Sequence, residues 1–318
     1  MQAAVVNVPG QPPKYQSFPE PVAQDGEVLV KVRAAGLHPI VKALASGSHY
    51  ASAGAGQGPA VPGVDGVGVL EDGSRVYFGL ARKPWGTMAE RAAAPRQMCI
   101  PIPDGLSDVE AAAIANPGMS SWVMLKERAG LVPGETVLIL GATGVAGQLA
   151  IQTARILGAK RVIGAGRNVE AIAAADVDAV IPLGEPEDAV REAFAAEAAA
   201  GIDLVVDYLW GRPTELLLEA LAKGFKVEAT RRTRLVEVGA SAGPTITLPG
   251  AVLRSVDLTL LGSGFGAARL DRILAALPAF FEMAAAGTLK VVAEPIPLAE
   301  VEAAWGRETK GRRIVFTT

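Results

Sequence analysis

Three glycines constrain this chain more than any other feature. Gly141, Gly144 and Gly147 stand in TVLILGATGVAGQLAIQTARILG, residues 136–158. They directly follow an apolar run and open a stretch with Val145, Leu149 and Ile156 at helical spacing, closed by Gly158. The spacing G-x-x-G-x-x-G describes a strand that turns sharply into a helix. In a dinucleotide-binding unit the three residues have separate tasks. Gly141 permits the turn, Gly144 lets backbone approach a pyrophosphate, and Gly147 lets helix pack closely on strand. Free N–H groups at the helix start then hold phosphate oxygens. A tight turn without a ligand is the competing reading.

The surrounding rhythm agrees with the turn. Between residues 117 and 264 six short apolar runs read as strands: Thr136–Gly141, Arg161–Ala165, Ala179–Leu183, Asp203–Tyr208, Leu235–Gly239 and Leu258–Gly262. Helical stretches at 145–157, 168–175, 186–199 and 213–222 separate them. Near-continuous apolar strands belong to a parallel sheet covered on both faces, so the segment predicts a doubly wound α/β fold. The first 110 residues differ: AAVVNV, EVLVKVRAAGL and GVGVLEDGSRVYFG are β-branched pieces broken by Pro and Gly. They predict antiparallel strands, with a hairpin at Asp72-Gly73. The tail predicts an amphipathic helix from Ala268 to Ala285, with Leu270, Ile273, Leu274, Leu277 and Phe281 on one face. Two short strands follow, around Val291 and at Arg313–Thr317. A length of 318 residues suits two domains of roughly 150 residues each.

The second strand of the α/β segment chooses the cofactor. NAD-binding units place an acid near its end, about 20 residues past the glycines, for the ribose 2′-hydroxyl. Here that position holds Arg167, in VIGAGRN. A guanidinium can fork onto a 2′-phosphate, and no acid is there to repel it. The reading is NADPH over NADH; an exposed arginine at a strand end is the plain alternative.

Composition removes other classes. Lys and Arg number 30 against 33 Asp and Glu, a net charge of −3, which supports neither a nucleic-acid surface nor an acidic-lipid one. The one basic cluster, Lys226, Arg231, Arg232 and Arg234, reads as a solvated face. The single cysteine, Cys99, excludes an internal disulfide and any multi-cysteine metal site, and its apolar context (MCIPIP) suggests a core position. The start MQAAVVNVPGQPP lacks a basic-then-apolar leader, and the run Val137–Ala154 carries too many glycines for a membrane span. A cytoplasmic protein is expected. None of Tyr15, Tyr50, Tyr77 and Tyr208 has Lys four positions on, which argues against short-chain dehydrogenase catalysis. The glycine-rich segment Ser46–Gly63 reads as a loop at a site mouth or a disordered one.

Taken together these segments resemble the zinc-free quinone oxidoreductase branch of the medium-chain dehydrogenase/reductase superfamily. The resemblance runs along essentially the whole chain, through AAGLHPIVKALASG, PGVDGVGVL, NPGMSSWVML, the glycine motif and GRRIVF. It implies a GroES-like β domain made of residues 1–117 and 266–318, a Rossmann NADP-binding domain of residues 118–265 with a six-stranded parallel sheet, and an active site in the cleft between them. It implies a homodimer through edge pairing around Val256–Leu261. Zinc alcohol dehydrogenases carry ligands where this chain has His38, Val64 and Asn116, and valine cannot bind zinc. Asp65 would remain as a structural acid. Carried over residue by residue, the cofactor contacts are Gly141, Gly144, Val145 and Ala146 at the pyrophosphate. Gly164, Gly166, Arg167 and Asn168 would surround the adenosine ribose, and Tyr208 and Leu209 would border the cofactor. Gly239, Ala240 and Ser263, with Asn116 and Ser120, would lie on the nicotinamide side.

The chain departs from that branch at His38, where asparagine is usual. A histidine there could bond the nicotinamide ribose or a substrate carbonyl, relay a proton, or be a satisfied polar group. Tyr50, beside His49 in the glycine-rich loop, could also reach a carbonyl. His38 and Tyr50 are therefore the candidate catalytic residues, with no metal and a small quinone or enone as substrate. The expected activity is NADPH-dependent hydride transfer to a quinone or an α,β-unsaturated carbonyl. An NADPH-binding regulatory or structural protein is the alternative.

Overall fold

The computed structural model describes residues 1–52, 58–223, 231–264, 266–267 and 269–318. The chain divides into two compact units, Met1–Asn116 with Leu274–Thr318, and Pro117–Ile273.

The first unit opens with strands β1 (Gln2–Val5), β2 (Lys14–Ser17) and β3 (Glu27–Gly36), then helix α1 (Pro39–Ser46). Strands β4 (Asp65–Val69), β5 (Arg75–Gly79), β6 (Arg91–Pro95) and β7 (Ile100–Pro101) follow, and then helix α2 (Asp108–Val123). The hairpin forms where Asp72-Gly73 predicts it. Val69 pairs with Arg75 and Asp65 with Gly79, while Gly73 adopts a φ of 85° that favours glycine. Of the glycine-rich segment, α1 takes the first residue and a short 3₁₀ turn takes Tyr50–Ser52, while positions 53–57 lie outside the described residues.

The second unit is a βα alternation: β8 (Thr136–Leu140), α3 (Val145–Ile156), β9 (Arg161–Gly166), α4 (Val169–Ala173), β10 (Ala179–Pro182), α5 (Glu187–Ala200), β11 (Leu204–Asp207), α6 (Gly211–Lys223), β12 (Thr233–Glu237), α7 (Gly250–Ser255) and β13 (Leu258–Gly262). All six strands are parallel, in the order β10-β9-β8-β11-β12-β13. Strand β8 sits mid-sheet, and the winding reverses between β8 and β11. Open sheets of this kind bind ligands at that point, beyond the carboxyl ends of the strands. Alternation along β8 shows why the strands read as unbroken apolar runs. Leu138 and Leu140 pack with Phe194 and Leu217 on one face; Val137 and Ile139 pack with Ile151 and Ala154 on the other.

The tail adds α8 (Leu270–Ala285), β14 (Ala293–Pro297), α9 (Val301–Ala304) and β15 (Arg313–Thr317). The predicted helix thus begins at Leu270, and its first predicted position, 268, lies outside the described residues. The strand predicted around Val291 begins two residues later, at Ala293. Strand β15 joins the first unit's seven-stranded sheet, antiparallel to β3 and parallel to β14. Helices α1, α2, α7 and α9 escaped prediction. Pro117 inside α2 and the shortness of α7 hide the period that reveals a helix.

Two side-chain expectations need adjustment. Cys99 is half-buried against the core of Val30, Val76 and Phe78 rather than inside it. Of the basic cluster, Arg231 pairs with Asp203, Arg232 bonds the Thr259 hydroxyl, and Arg234 pairs with Glu135; Lys226 lies outside the described residues. Among the described residues no helix is long and apolar enough to cross a membrane.

Candidate functional site

The second unit carries a cradle at the end of β8. Gly141 has a φ of 89°, and both Gly141 N–H and Ala142 N–H donate to the Ala165 carbonyl at 2.9 and 3.1 Å. The turn is therefore pinned to the end of β9. At Gly147 a Cβ would lie 2.2 Å from the Gly141 oxygen, so only glycine lets α3 sit this close. At Gly144 a Cβ would meet nothing nearer than that same oxygen at 3.5 Å. One glycine is required by packing, and at the other a Cβ would make only an ordinary van der Waals contact.

Helix α3 starts at Val145 with no side-chain cap, and its first bond from beyond that turn is Gln148 N–H to the Gly144 carbonyl at 2.9 Å. The N–H groups of Val145, Ala146 and Gly147 precede it and point out of the helix start. Three donors and a helix dipole suit an anion. Beside them, Gly164 and Gly166 leave room for Ile172, whose methyl groups a Cβ would meet at 2.5 and 3.0 Å. Arg167 follows, exposed and without an ion pair among the described residues. Asn168 caps α4 by accepting the Ala171 N–H at 3.1 Å, which leaves its amide donor available.

The next wall is held by a buried acid that sequence reasoning passed over. One Asp207 oxygen accepts the N–H groups of Leu209 and Trp210, both at 2.8 Å, and the other accepts the Thr214 hydroxyl at 2.5 Å. These bonds hold Trp210 at a φ of 53°, which an L-residue rarely adopts. Burial raises the Asp207 carboxyl, against the pull of its donors. The Asp207 carbonyl accepts from Val238 and Gly239, and Ser263 N–H donates to the Glu237 carbonyl at 2.8 Å. Tyr208, Leu209, Gly239, Ala240 and Ser263 thereby stand at the carboxyl ends of β11, β12 and β13. The Tyr208 hydroxyl is buried without a partner among the described residues, and burial pushes it up.

The first unit holds a different cluster. His38 precedes α1 and is 1 % exposed; its Nε2 lies 3.0 Å from Asp65 Oδ1, out of line for a well-formed hydrogen bond. Asp65 Oδ2 accepts the Tyr77 hydroxyl at 2.8 Å, and the Asp65 carbonyl accepts the Thr87 hydroxyl at 2.7 Å. Arg313, on β15, donates to the Leu37 carbonyl at 2.7 Å. Burial holds the His38 imidazole below the usual range, the Arg313 charge acts the same way, and Asp65 opposes both. Burial also lowers Arg313 to about 10, so it stays charged at neutral pH. Burial, then Asp65, pushes the Tyr77 hydroxyl up, so it keeps its proton.

No family model matches the chain. It is 30 % identical to the quinone oxidoreductase of Thermus thermophilus, a structure also solved with NADPH, with all of both chains covered and a TM-score of 0.79. The chain belongs to the quinone oxidoreductase branch of the medium-chain dehydrogenase/reductase superfamily. Curated relatives of this family extend the likeness. A probable NADPH-dependent quinone reductase of Emericella nidulans is 28 % identical over 99 % of both chains. A trans-enoyl reductase of Aspergillus terreus is 30 % identical over 60 % of this chain and 56 % of its own.

Within this family member the candidate residues fall into distinct settings. Gly141, Gly144, Val145, Ala146, Gly164, Gly166, Arg167 and Asn168 gather at the ends of β8 and β9. Asn116 and Ser120 are half-buried, one turn apart on α2. The two candidate catalytic residues differ sharply: His38 is enclosed, whereas Tyr50 is 70 % exposed and stacks on His49 at 4.0 Å between ring centroids. Tyr77 and Arg313 carried no readable signal, because nothing local links either to His38.

Proposed function

We propose that this chain is an NADPH-dependent oxidoreductase that delivers hydride to a quinone or to the β-carbon of an α,β-unsaturated carbonyl. The observation that carries the reading is the glycine cradle, whose helix start has free N–H groups and no side-chain cap, beside Arg167, which has no ion pair among the described residues. NADPH supplies the hydride when bound. The N–H groups of Val145, Ala146 and Gly147 would hold its pyrophosphate, and Arg167 with the Asn168 amide would take the 2′-phosphate. Tyr208, Leu209, Gly239, Ala240 and Ser263 would bound the rest of the cofactor and keep water from it. His38 and Tyr50 are proposed on the acceptor side.

The reading is zinc-free. Val64 and Asn116 occupy two ligand positions of the zinc enzymes, and the described residues contain no cluster of three or more His, Cys, Asp or Glu fit for a metal. An acceptor that no metal polarises must already be activated by conjugation. Strand β13 ends the parallel sheet with one edge unpaired among the described residues, and we propose that a second copy pairs there. Light scattering that finds only a 32.7 kDa species at micromolar concentration would overturn the dimer. A cytoplasmic place of work belongs to the same proposal.

The test of the reaction is the loss of NADPH absorbance with a para-quinone, a 2-alkenal and a saturated aldehyde, with NADH as control. Turnover of the two conjugated acceptors with NADPH is expected. Tight NADPH binding without turnover would make the chain a binding protein, and equal use of NADH would remove the role given to Arg167.

A further inference from the structure

Within the glycine turn, residues 141–147, Thr143 alone carries a polar side chain. Its backbone is fastened on both sides. The Thr143 carbonyl accepts the Gln148 side-chain amide at 3.0 Å, and the N–H groups of Gly141 and Ala142 before it are bound to the Ala165 carbonyl. The side chain lies beside the end of β9. A Cβ at Gly166 would lie 3.5 Å from Thr143 Cγ2 and 3.6 Å from Thr143 Oγ1. Gly166 is itself held, because its carbonyl accepts the Leu183 N–H at 2.9 Å. A threonine in a turn commonly spends its hydroxyl on nearby backbone or on a helix cap. This one does neither: α3 has no side-chain cap, and the Thr143 hydroxyl has no hydrogen bond among the described residues. Its oxygen reaches solvent. Thr143 is half-buried, and Gly144, Arg167 and Asn168 beside it are exposed, so a ligand can approach.

We infer that Thr143 is a specificity-determining residue of the cofactor site, whose hydroxyl donates to the 2′-phosphate of NADPH beside Arg167 and Asn168. The inference deepens the proposed reductase reading and rests on it for the identity of the cofactor. The turn divides its donors between two sides. The N–H groups of Val145, Ala146 and Gly147 belong to the helix start, whereas Thr143 stands on the strand side, next to the residue that precedes Arg167. A phosphate monoester carries close to two negative charges and three acceptor oxygens at neutral pH. Three donors of different kind surround its place: the Arg167 fork, the Asn168 amide, whose oxygen already accepts from Ala171, and the Thr143 hydroxyl. Branching at Cβ restricts the Thr143 side chain to few directions, so the hydroxyl is ordered at little cost. NADH offers a neutral hydroxyl where NADPH offers an ionised oxygen. A bond to the charged acceptor is the stronger one, so Thr143 favours NADPH.

Fluorescence titrations of the full-length protein with NADPH and with NADH test this without reference to turnover. Thr143→Val keeps the shape of the side chain and removes the hydroxyl. It is expected to weaken NADPH about tenfold, the size of one hydrogen bond to a charged group, and NADH by less than about twofold. Thr143→Ser keeps the hydroxyl and is expected to restore most of the NADPH affinity. In ³¹P spectra of bound NADP⁺, Thr143→Val is expected to move the 2′-phosphate resonance and leave the pyrophosphate resonances in place. Equal weakening of NADPH and NADH, or a shift confined to the pyrophosphate, would place Thr143 in the shape of the turn and overturn the inference. Unchanged NADPH affinity in Thr143→Val would overturn it as well. Thr143→Ala provides the same comparison should the valine variant fail to fold. Tight NADPH binding without turnover would overturn the reductase reading and leave this comparison intact. Wild-type protein with equal affinity for NADPH and NADH would overturn the inference whatever its activity.

Discussion

Two buried aspartates, one in each unit, are built in opposite ways. Asp207 closes three hydrogen bonds to groups two, three and seven positions along the chain. Asp65 accepts from Tyr77 twelve positions away, while both ring nitrogens of a histidine twenty-seven positions before it have no hydrogen-bond partner among the described residues. The first acid is saturated by its own turn and holds backbone in shape. The second takes part in a polar group closed by distant strands and left open on one side. A buried acid whose partners are local can be satisfied by its own turn, whereas one that depends on distant strands is not satisfied by any single segment.

This contrast is open to attack, the largest effect first. Asp207→Ala strands two buried N–H groups and one hydroxyl and releases the strained Trp210, so a loss of about 3–5 kcal/mol is expected in urea unfolding. A loss under about 1 kcal/mol would remove Asp207 from its role in holding the turn.

The two functional glycines sharpen the same distinction within a single turn. Gly147→Ala forces a Cβ into the Gly141 carbonyl and is expected to cost about 2–3 kcal/mol of stability. Gly144→Ala places a Cβ at ordinary contact distance, 3.5 Å from the Gly141 oxygen, so stability should hold within about 0.5 kcal/mol while NADPH affinity falls tenfold or more. Parallel melts and fluorescence titrations separate the two outcomes. Equal losses of stability would show that both glycines serve packing only.

Arg167→Ala isolates binding from folding. Charge-assisted bonds to a phosphate are worth about 1.5–3 kcal/mol, so NADPH affinity is expected to fall roughly 10- to 100-fold, with NADH affinity and the melting temperature unchanged. An NADPH dissociation constant that does not move would end the claim for the 2′-phosphate.

The smallest effects distinguish the acids by pH. The His38 imidazole is held low in the folded chain, so the unfolded chain binds its proton first. Its contribution makes stability fall as pH drops below about 6.5, by at most about 1.4 kcal/mol per unit. His38→Gln should flatten that limb of a stability–pH curve. The Asp207 carboxyl is raised by burial, so its contribution has the opposite sign and declines as pH climbs above the ordinary carboxylate range. An unchanged acid limb in His38→Gln would mean that the buried imidazole is not the group responsible.

Much of the α/β unit was legible because its signals are local. Each of its six strands begins and ends within two residues of the apolar run that predicts it, since burial on both faces favours apolar residues along most of the strand. The glycine turn and Arg167 were readable for the same reason, as neighbours in sequence with defined backbone needs. Helix α2 was not legible, because Pro117 interrupts a stretch already rich in alanine.

The amino-acid sequence by itself determined the parallel sheet and the glycine turn at Gly141–Gly147, because each depends on residues adjacent along the chain. Only the tertiary structure decided the environment of His38. Its ring lies against Gly36 and Asp65 beside Arg313, and Arg313 bonds a carbonyl 276 positions away. Periodicity carries no record of such a meeting. The burial of the imidazole follows from strands that are far apart in sequence, and no single segment can produce it.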